Sequence, residues 1–493
     1  MYLLGYDVGS SSVKASLLDA NTGKVVATSH YPKEEAPINA LKPGWAEQNP
    51  EDWWDYIKNV TAEILLEPSV NPKDIRAIGI SYQMHGLVLV DKDQKVLRPS
   101  IIWCDSRAAT YGDKAFEELG EEKCLSSLLN SPGNFTASKL KWVKENEPEV
   151  YAKIDKIMLP GDYIAMKLTG KVQTTASGLS EGILWDFKEG EPADFLMEYY
   201  GFNPDIIPEI VPTFSIQAKI TSEAAKELRL HEFIEITYRA GDQPNNAFSL
   251  NVLQPGEIAA TGGTSGVVYG ISEEIKYDSR SRVNTFLHVN NTKDHNRYGV
   301  LLCINGVGIL YSWMKKLTGS VSYPAMNEMV STVAPGSEGL MVFPFGNGAE
   351  RVLENANPGA SVHGINFNIH SNAHMLRAAV EGIAFAFKYG IEIMKGTGIH
   401  PKKIRAGHAN LFLSPVFRDV LASITGASIE LIETDGAQGA ARAAGIGLGI
   451  YGSESEAFDG LKTIKTIKPD KELAEFYQPV YERWKELLQK ITK

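Results

Sequence analysis

Residues 238–250 read "YRAGDQPNNAFSL", an apolar run that ends at Ala240 and breaks into glycine, an acid, an amide, a proline and two asparagines. A carboxylate at the end of a strand can take a proton from a hydroxyl, and amides beside it can orient that hydroxyl. The same residues also suit a helix start, with Asp242 as N-cap and Pro244 in the first turn. Two other stretches, "DVGSSSVK" (7–14) and "TGGTSG" (261–266), put glycine and hydroxyl residues in short turns between apolar runs. Such turns offer N–H groups and hydroxyls to phosphate oxygens, although either one alone is also an ordinary tight turn. Neither has P-loop spacing, and no dinucleotide-type glycine fingerprint follows a strand. Asp7 at the head of the first turn is a carboxylate that can hold Mg²⁺ through water. "YQMHG" (82–86) and "WCDSR" (103–107) end apolar strands in His85 and in Trp103, Asp105 and Arg107. Hydrogen-bonding groups beside an apolar wall suit a sugar, and strand ends are where α/β folds collect ligands.

Strands and helices must position these residues. The first thirty residues alternate and turn as a hairpin sheet, and a helix is expected over 51–66 after Pro50. The run "IRAIGISY" (75–82) predicts a strand, and helices then alternate with short extended runs to about residue 230, an α/β pattern. The second half repeats this grammar. "YDVGSSSVKASLL" (6–18) lies over "ATGGTSGVVYGI" (260–271), with Asp7 on Thr261, Gly9 on Gly263 and Val13 on Val267. Self-similarity of this kind suggests two lobes of related fold. Strands "YGVLLCI", "GLMVFPF" and "KKIRAG", and helices starting at Gly306, near Ser371, at "SPVFRDVLASIT" and at "AQGAARAAGIGLG", complete the second lobe.

The 493 residues are too many for one core, and 43% hydrophobic with 22% charged residues is ordinary globular composition. A formal net charge of −11 with scattered lysines and arginines argues against nucleic acid or an anionic membrane as partner. The stretch "TIKTIKPDKE" reads as a solvated face. The start lacks the charged region and cleavage site of a signal peptide, so the cytoplasm is the expected compartment. Cys104, Cys124 and Cys303 show no disulfide or metal spacing and are expected as buried thiols. His370 and His374 share a helical spacing without an acidic partner and read as helix-start residues.

In order and spacing these stretches, with "ISYQMHGLVLVD", "RPSIIWCDSR", "NFTASKLKWVKEN", "GINFNIHSNAHMLRAAVEGIAF" and "DGAQGAARAAGIG", resemble the FGGY carbohydrate kinases over essentially the whole chain. The resemblance implies an α/β fold of two ribonuclease-H-like lobes, of the actin and sugar-kinase superfamily, around a central cleft. Residues 1–240 would carry the sugar and the first phosphate hairpin, and 241–493 the catalytic aspartate and the nucleotide site. The implied reaction is ATP- and Mg²⁺-dependent phosphorylation of a ketose primary hydroxyl, D-xylulose ahead of ribulose, fuculose or glycerol-type substrates. The sugar and ATP would be the partners, and a homodimer the assembly. Position by position, Asp242 would be the proton acceptor and Asp7 the residue supporting Mg²⁺. Met84, His85, Trp103, Asp105 and Asn246 would contact the sugar. Gly9, Ser10, Ser11, Ser12 and Lys14 would form one phosphate hairpin and Gly263 and Thr264 the other, with Gly306, Gly407 and Asn410 on the nucleotide side. Two stretches, "AGDQPNNA" and "AGHANLFLSP", depart from the family pattern. An actin-like ATPase or a phosphatase on the same fold would keep the glycine turns, but would not need "QMHG", "WCDSR" and "GDQPNNA" to converge.

Overall fold

The computed structural model of the chain describes residues 1–492. They divide into two compact units, and the boundary differs from the one expected between 240 and 241. One unit comprises Met1–Asn251, Phe286–Arg297 and Thr434–Leu461; the other comprises Val252–Thr285, Tyr298–Glu433 and the carboxy-terminal segment from Lys462. Asp242 therefore belongs with the amino-terminal residues.

The first unit is built on six strands: β1 (Tyr2–Val8), β2 (Val13–Asp19), β3 (Val25–Tyr31), β4 (Ile75–Tyr82), β5 (Phe214–Lys219) and β6 (Glu235–Gly241). The second has β7 (Ile258–Gly262), β8 (Gly266–Ser272), β9 (Asn284–Leu287), β10 (Tyr298–Ile304), β11 (Lys403–Gly407), β12 (Ser428–Ile432) and β13 (Thr463–Ile467). The first sheet runs β5-β6-β4-β1-β2-β3 and the second β13-β12-β11-β7-β8-β10-β9. Taken in that order, both show the same sequence of senses over six strands: antiparallel, parallel, parallel, antiparallel, antiparallel. The repeat expected from the short sequence match is thus present in the topology, with β1–β2 answering to β7–β8. The stretch "TIKTIK" is edge strand β13, exposed along most of its length.

The strands β1 and β4 are nearly continuous apolar runs because both faces of their sheet are covered. One cover is the helix Pro50–Ile64, started by Asn49 and Pro50, whose Trp53, Ile57, Val60 and Ile64 enter the core. The other is the helix Gly436–Leu448, capped by Asp435, which the sequence reading had placed in the second lobe. Its alanines and glycines let its backbone come down onto the sheet. A Cβ on Gly5 would lie 1.9 Å from the Ala437 carbonyl oxygen, and one on Gly79 2.0 Å from that of Ala440. Arg442, buried beneath, donates to the carbonyls of Ala457 and Gly23.

In the second unit the 24-residue helix Asn372–Lys395 lies in a large apolar core together with Tyr477, Tyr481 and Trp484. His374 completes a capping box with Ser371, the helix-start role expected of it. Cys124 is buried as expected, but Cys104 is exposed and Cys303 only partly covered, because Cys104 lies in the turn after the short strand Ser100–Ile101. Among the described residues no helix is long and apolar enough to cross a membrane.

Gly79→Ala is expected to destabilise the first unit by about 1–3 kcal/mol or more, because the added methyl has only helix backbone to meet. Thermal unfolding checks this, and an unchanged midpoint would mean that the helix can shift freely on its sheet.

Candidate active site

Three parallel strands of the first unit end together: Val8 of β1 is in register with Tyr82 of β4, and Tyr82 with Gly241 of β6. The residues just inside and beyond these ends therefore cluster. Asp7 lies beside Ser81, whose hydroxyl donates to Asp7 Oδ1 at 2.9 Å, and across from Lys14. Gly436, at the start of its helix, comes so close that a Cβ there would stand 2.6 Å from Asp7 Oδ2. Burial raises the Asp7 carboxyl above its ordinary range; Lys14 and Ser81 oppose the rise and Asp435 adds to it. The Asp242 carboxyl is pushed up to about 7, first by burial and then by the charge of Asp7, against the donors of Gln243.

Asp242 is not the N-cap. The helix Asp242–Ser249 is capped by Gly241, so Asp242 is its first residue. The chain turns one residue early because position 241 has no side chain: a Cβ there would be 2.6 Å from Met84 Cγ and 3.1 Å from Glu181 Oε2. Of the two asparagines, Asn245 does the joining. It accepts from the Tyr238 hydroxyl at 3.1 Å and donates to the Gly436 carbonyl at 2.8 Å, tying this helix to the one above Asp7. The sequence reading singled out Asn246, which is half-buried on the same helix.

Met84 is buried against Gly241, and His85 follows with φ at 63°, a left-handed conformation. Its Nδ1 is 2.9 Å from the Glu181 carbonyl, an oxygen that can only accept, so Nδ1 carries the proton. Phe135 and Phe286 hold the ring, with centroids 4.7 and 5.6 Å away. Beneath it the fully buried Lys139 donates to the carbonyls of His85 (2.8 Å) and Ile102 (3.0 Å). It thereby joins the end of β4 to the turn bearing Trp103, and burial pulls its ammonium down to about 7. Trp103 is 53% exposed and donates its indole N–H to Ser10 Oγ at 3.3 Å, so the apolar wall touches the first glycine turn.

Asp105 was expected to contact substrate, but its carboxylate is consumed internally. It accepts from the backbone N–H of Ala46 (2.6 Å) and Arg107 (2.9 Å), and from the Arg107 guanidinium at 2.6–3.0 Å. Arg107 in turn stacks on Trp45 and pairs with Glu47. The pair braces the turn that presents Trp103. In the first glycine turn the Gly9 N–H donates to the Ser12 carbonyl and Gln48 donates to the Ser10 carbonyl, while Ser11 and Lys14 are exposed.

The second glycine turn lies wholly in the other unit and lines a cavity of about 460 Å³. Gly263 and Thr264 accept at their carbonyls from the N–H groups of Gly308 (2.9 Å) and Ile309 (3.1 Å). Gly308 must be glycine, since a Cβ there would be 2.2 Å from the Gly263 oxygen. Asn410, with φ at 52°, faces the same cavity, whose walls include Tyr311 and Tyr323, stacked at 5.8 Å. Glycine N–H groups, amides and aromatic walls in this volume suit a nucleotide. Two expected glycines are not part of it. Gly306 packs against the Pro344 carbonyl, where a Cβ would clash at 1.4 Å, and Gly407 ends β11 with open space around its α carbon. The helix expected from Gly306 starts at Gly308.

Two family models match the chain: the FGGY family of carbohydrate kinases, N-terminal domain, over residues 2–249, and the C-terminal domain of the same family over 258–448. The xylulose kinase of Escherichia coli (strain K12) is 30% identical over 501 residues, covering 100% of this chain and 99% of its own. That of Bacillus subtilis (strain 168) is 28% identical, covering 99% of this chain and 98% of its own. The crystal structure of xylulose kinase from Rhodospirillum rubrum shares the fold with a TM-score of 0.89 at 24% identity, covering 100% of this chain and 99% of that one.

Two outcomes follow from the geometry. A carboxyl held above its unfolded value favours folding most when protonated, and that advantage is lost as pH rises from about 4 to about 7. Asp242→Asn should therefore raise the unfolding midpoint, by more at about pH 8 than at about pH 5. Scanning calorimetry at both values checks this, and a midpoint that falls at both would mean that the carboxylate is a net stabiliser. Gly308→Ala should separate the glycine turn from its helix and weaken MgATP binding roughly tenfold by calorimetry. Unchanged affinity would remove this turn from the nucleotide site.

Proposed function

Because the chain belongs to the FGGY family of carbohydrate kinases, we propose that it transfers the γ-phosphoryl group of ATP to the primary hydroxyl of a ketose, D-xylulose first, giving D-xylulose 5-phosphate and ADP. The observation that carries the reading is Asp242 beside Asp7 at the strand ends, a carboxyl held at about 7 by burial and by its neighbour's charge. A base poised there is matched to neutral pH. As the sugar oxygen bonds to the γ-phosphorus, its proton passes to Asp242 and the bond to the β-phosphate oxygen breaks. Met84, His85 and Trp103 hold the sugar so that this hydroxyl meets Asp242, and positioning of this kind supplies much of the rate in phosphoryl transfer.

Magnesium fits the residues present. Asp7, with Asp435 close enough to act on its charge, supplies the hard oxygen donors that the ion prefers. No group of three or more ligating side chains stands preassembled among the described residues, so phosphate oxygens and water would complete the shell. Bound there, the ion would neutralise the phosphate charge. In the first unit the glycine turn at Gly9–Ser12 offers donors to phosphate; in the second, the turn at Gly263–Thr264 does the same and the cavity by Tyr311 and Asn410 takes the nucleoside. Three free cysteines and a reaction that draws on ATP support a cytoplasmic setting.

The test is ADP release across pentuloses, hexuloses, glycerol and gluconate with the wild type and Asp242→Asn. Release should be slow without acceptor and should rise most with D-xylulose. The asparagine variant should lose roughly 10²- to 10⁴-fold in kcat with little change in sugar KM. Turnover that ignores the acceptor, or a variant keeping most of its kcat, would overturn the reading.

A further inference from the structure

Glu181 has no part in the reaction as drawn, yet it stands behind both halves of the sugar site. It ends the helix Ala176–Glu181 with its side chain only 2% exposed. Its Oε2 accepts the backbone N–H of His85 at 3.3 Å and lies 3.8 Å from His85 Nδ1, while its own carbonyl takes the Nδ1 proton. The same Oε2 faces the bare α carbon of Gly241, directly before Asp242. His85 is thus hydrogen-bonded at two points by one residue, in a left-handed backbone conformation that its surroundings hold.

We propose that Glu181 is a positioning residue of the sugar site, fixing His85 from behind and filling the space at Gly241 that sets where Asp242 begins its helix. The inference rests on the kinase reading for the sugar's identity, but not for the grip on His85. The groups facing Glu181 are Tyr82 from β4, His85 beyond it, Asp242 after β6, and Asp162, which is paired with Arg239 at 3.2 Å. The buried Lys139 feels its charge as well. Burial first, and then the charges of Asp242 and Asp162, push the Glu181 carboxyl well above the usual carboxylate range, against the donors of Tyr82 and His85. A protonated carboxyl at this position adds no negative charge beside Asp242, and its carbonyl-type oxygen still accepts from His85. Glutamine reproduces both properties; leucine keeps the bulk and removes the acceptor.

Ketose KM, MgATP KM and kcat are measured for the wild type, Glu181→Gln and Glu181→Leu, with Glu181→Met replacing leucine if that variant does not fold. Nitrogen–proton correlation spectra report the His85 backbone amide, and the ring tautomer beside it, in the absence of substrate. Glutamine should stay within about twofold of the wild type, whereas leucine should raise the ketose KM about tenfold or more with MgATP KM unchanged. The His85 backbone amide signal should hold its place in the glutamine variant and shift in the leucine variant, which lacks its acceptor, while Nδ1–H, bound to the unchanged backbone carbonyl of position 181, persists in all three. A leucine variant matching the wild type, equal changes in both KM values, or a glutamine variant as impaired as leucine would each overturn the proposal. If the wild type responds to no ketose, the kinase reading falls, and the His85 amide signal alone decides whether Glu181 positions His85.

Discussion

The strand ends of the first unit depend on one close contact, the backbone of the helix Gly436–Leu448 resting on β1 and β4 where Gly5 and Gly79 have no side chains. Neither surface can be opened by a methyl without pushing the other away. The contact brings the helix start, with its unpaired N–H groups, beside the Asp7 carboxylate. Through Asn245 it also fixes the helix that carries Asp242. A residue more than four hundred positions from Asp7 is thereby part of its immediate surroundings.

The cost of that arrangement is electrostatic. Asp7 raises the proton affinity of Asp242 and Asp435 that of Asp7, and Glu181 is buried near the same strand ends; the neighbouring cations are Lys14 across the hairpin, the buried Lys139, and Arg239 already paired with Asp162. Such a site is less stable than an apolar one of the same shape. What it offers is a region whose repulsion is relieved when a bound cation or a transferred proton arrives, so the strain is placed where the chemistry can use it.

Much of this was legible in the sequence. The apolar run at 75–82 is strand β4 at the expected residues, and the amphipathic period near 371–395 is one helix. The glycine turns and the company kept by Asp242 pointed to the strand ends. What failed were inferences from order along the chain. "AQGAARAAGIGLG" looked like second-half material because it occurs late, while its glycine-accepting surface lies in the first thirty and the seventies of the sequence. Asp105 had the chemistry of a sugar ligand, but the arginine two residues on consumes it. Lys139, Asn245 and Glu181 were passed over because their work is burial against distant backbone, which no local spacing spells out.

The division of the first unit into three separated stretches also bears on how the protein is made. As the chain leaves the ribosome, the six-strand sheet has all its strands once Gly241 is out, but the helix that covers Gly5 and Gly79 is not synthesised until residues 436–448. For nearly two hundred residues of synthesis that face of the sheet, apolar and stripped of side chains at its centre, lacks its own lid. Until residues 436–448 are made, the sheet has no covering helix of its own at Gly5 and Gly79, and an uncovered apolar sheet face is the kind of surface that favours aggregation during folding.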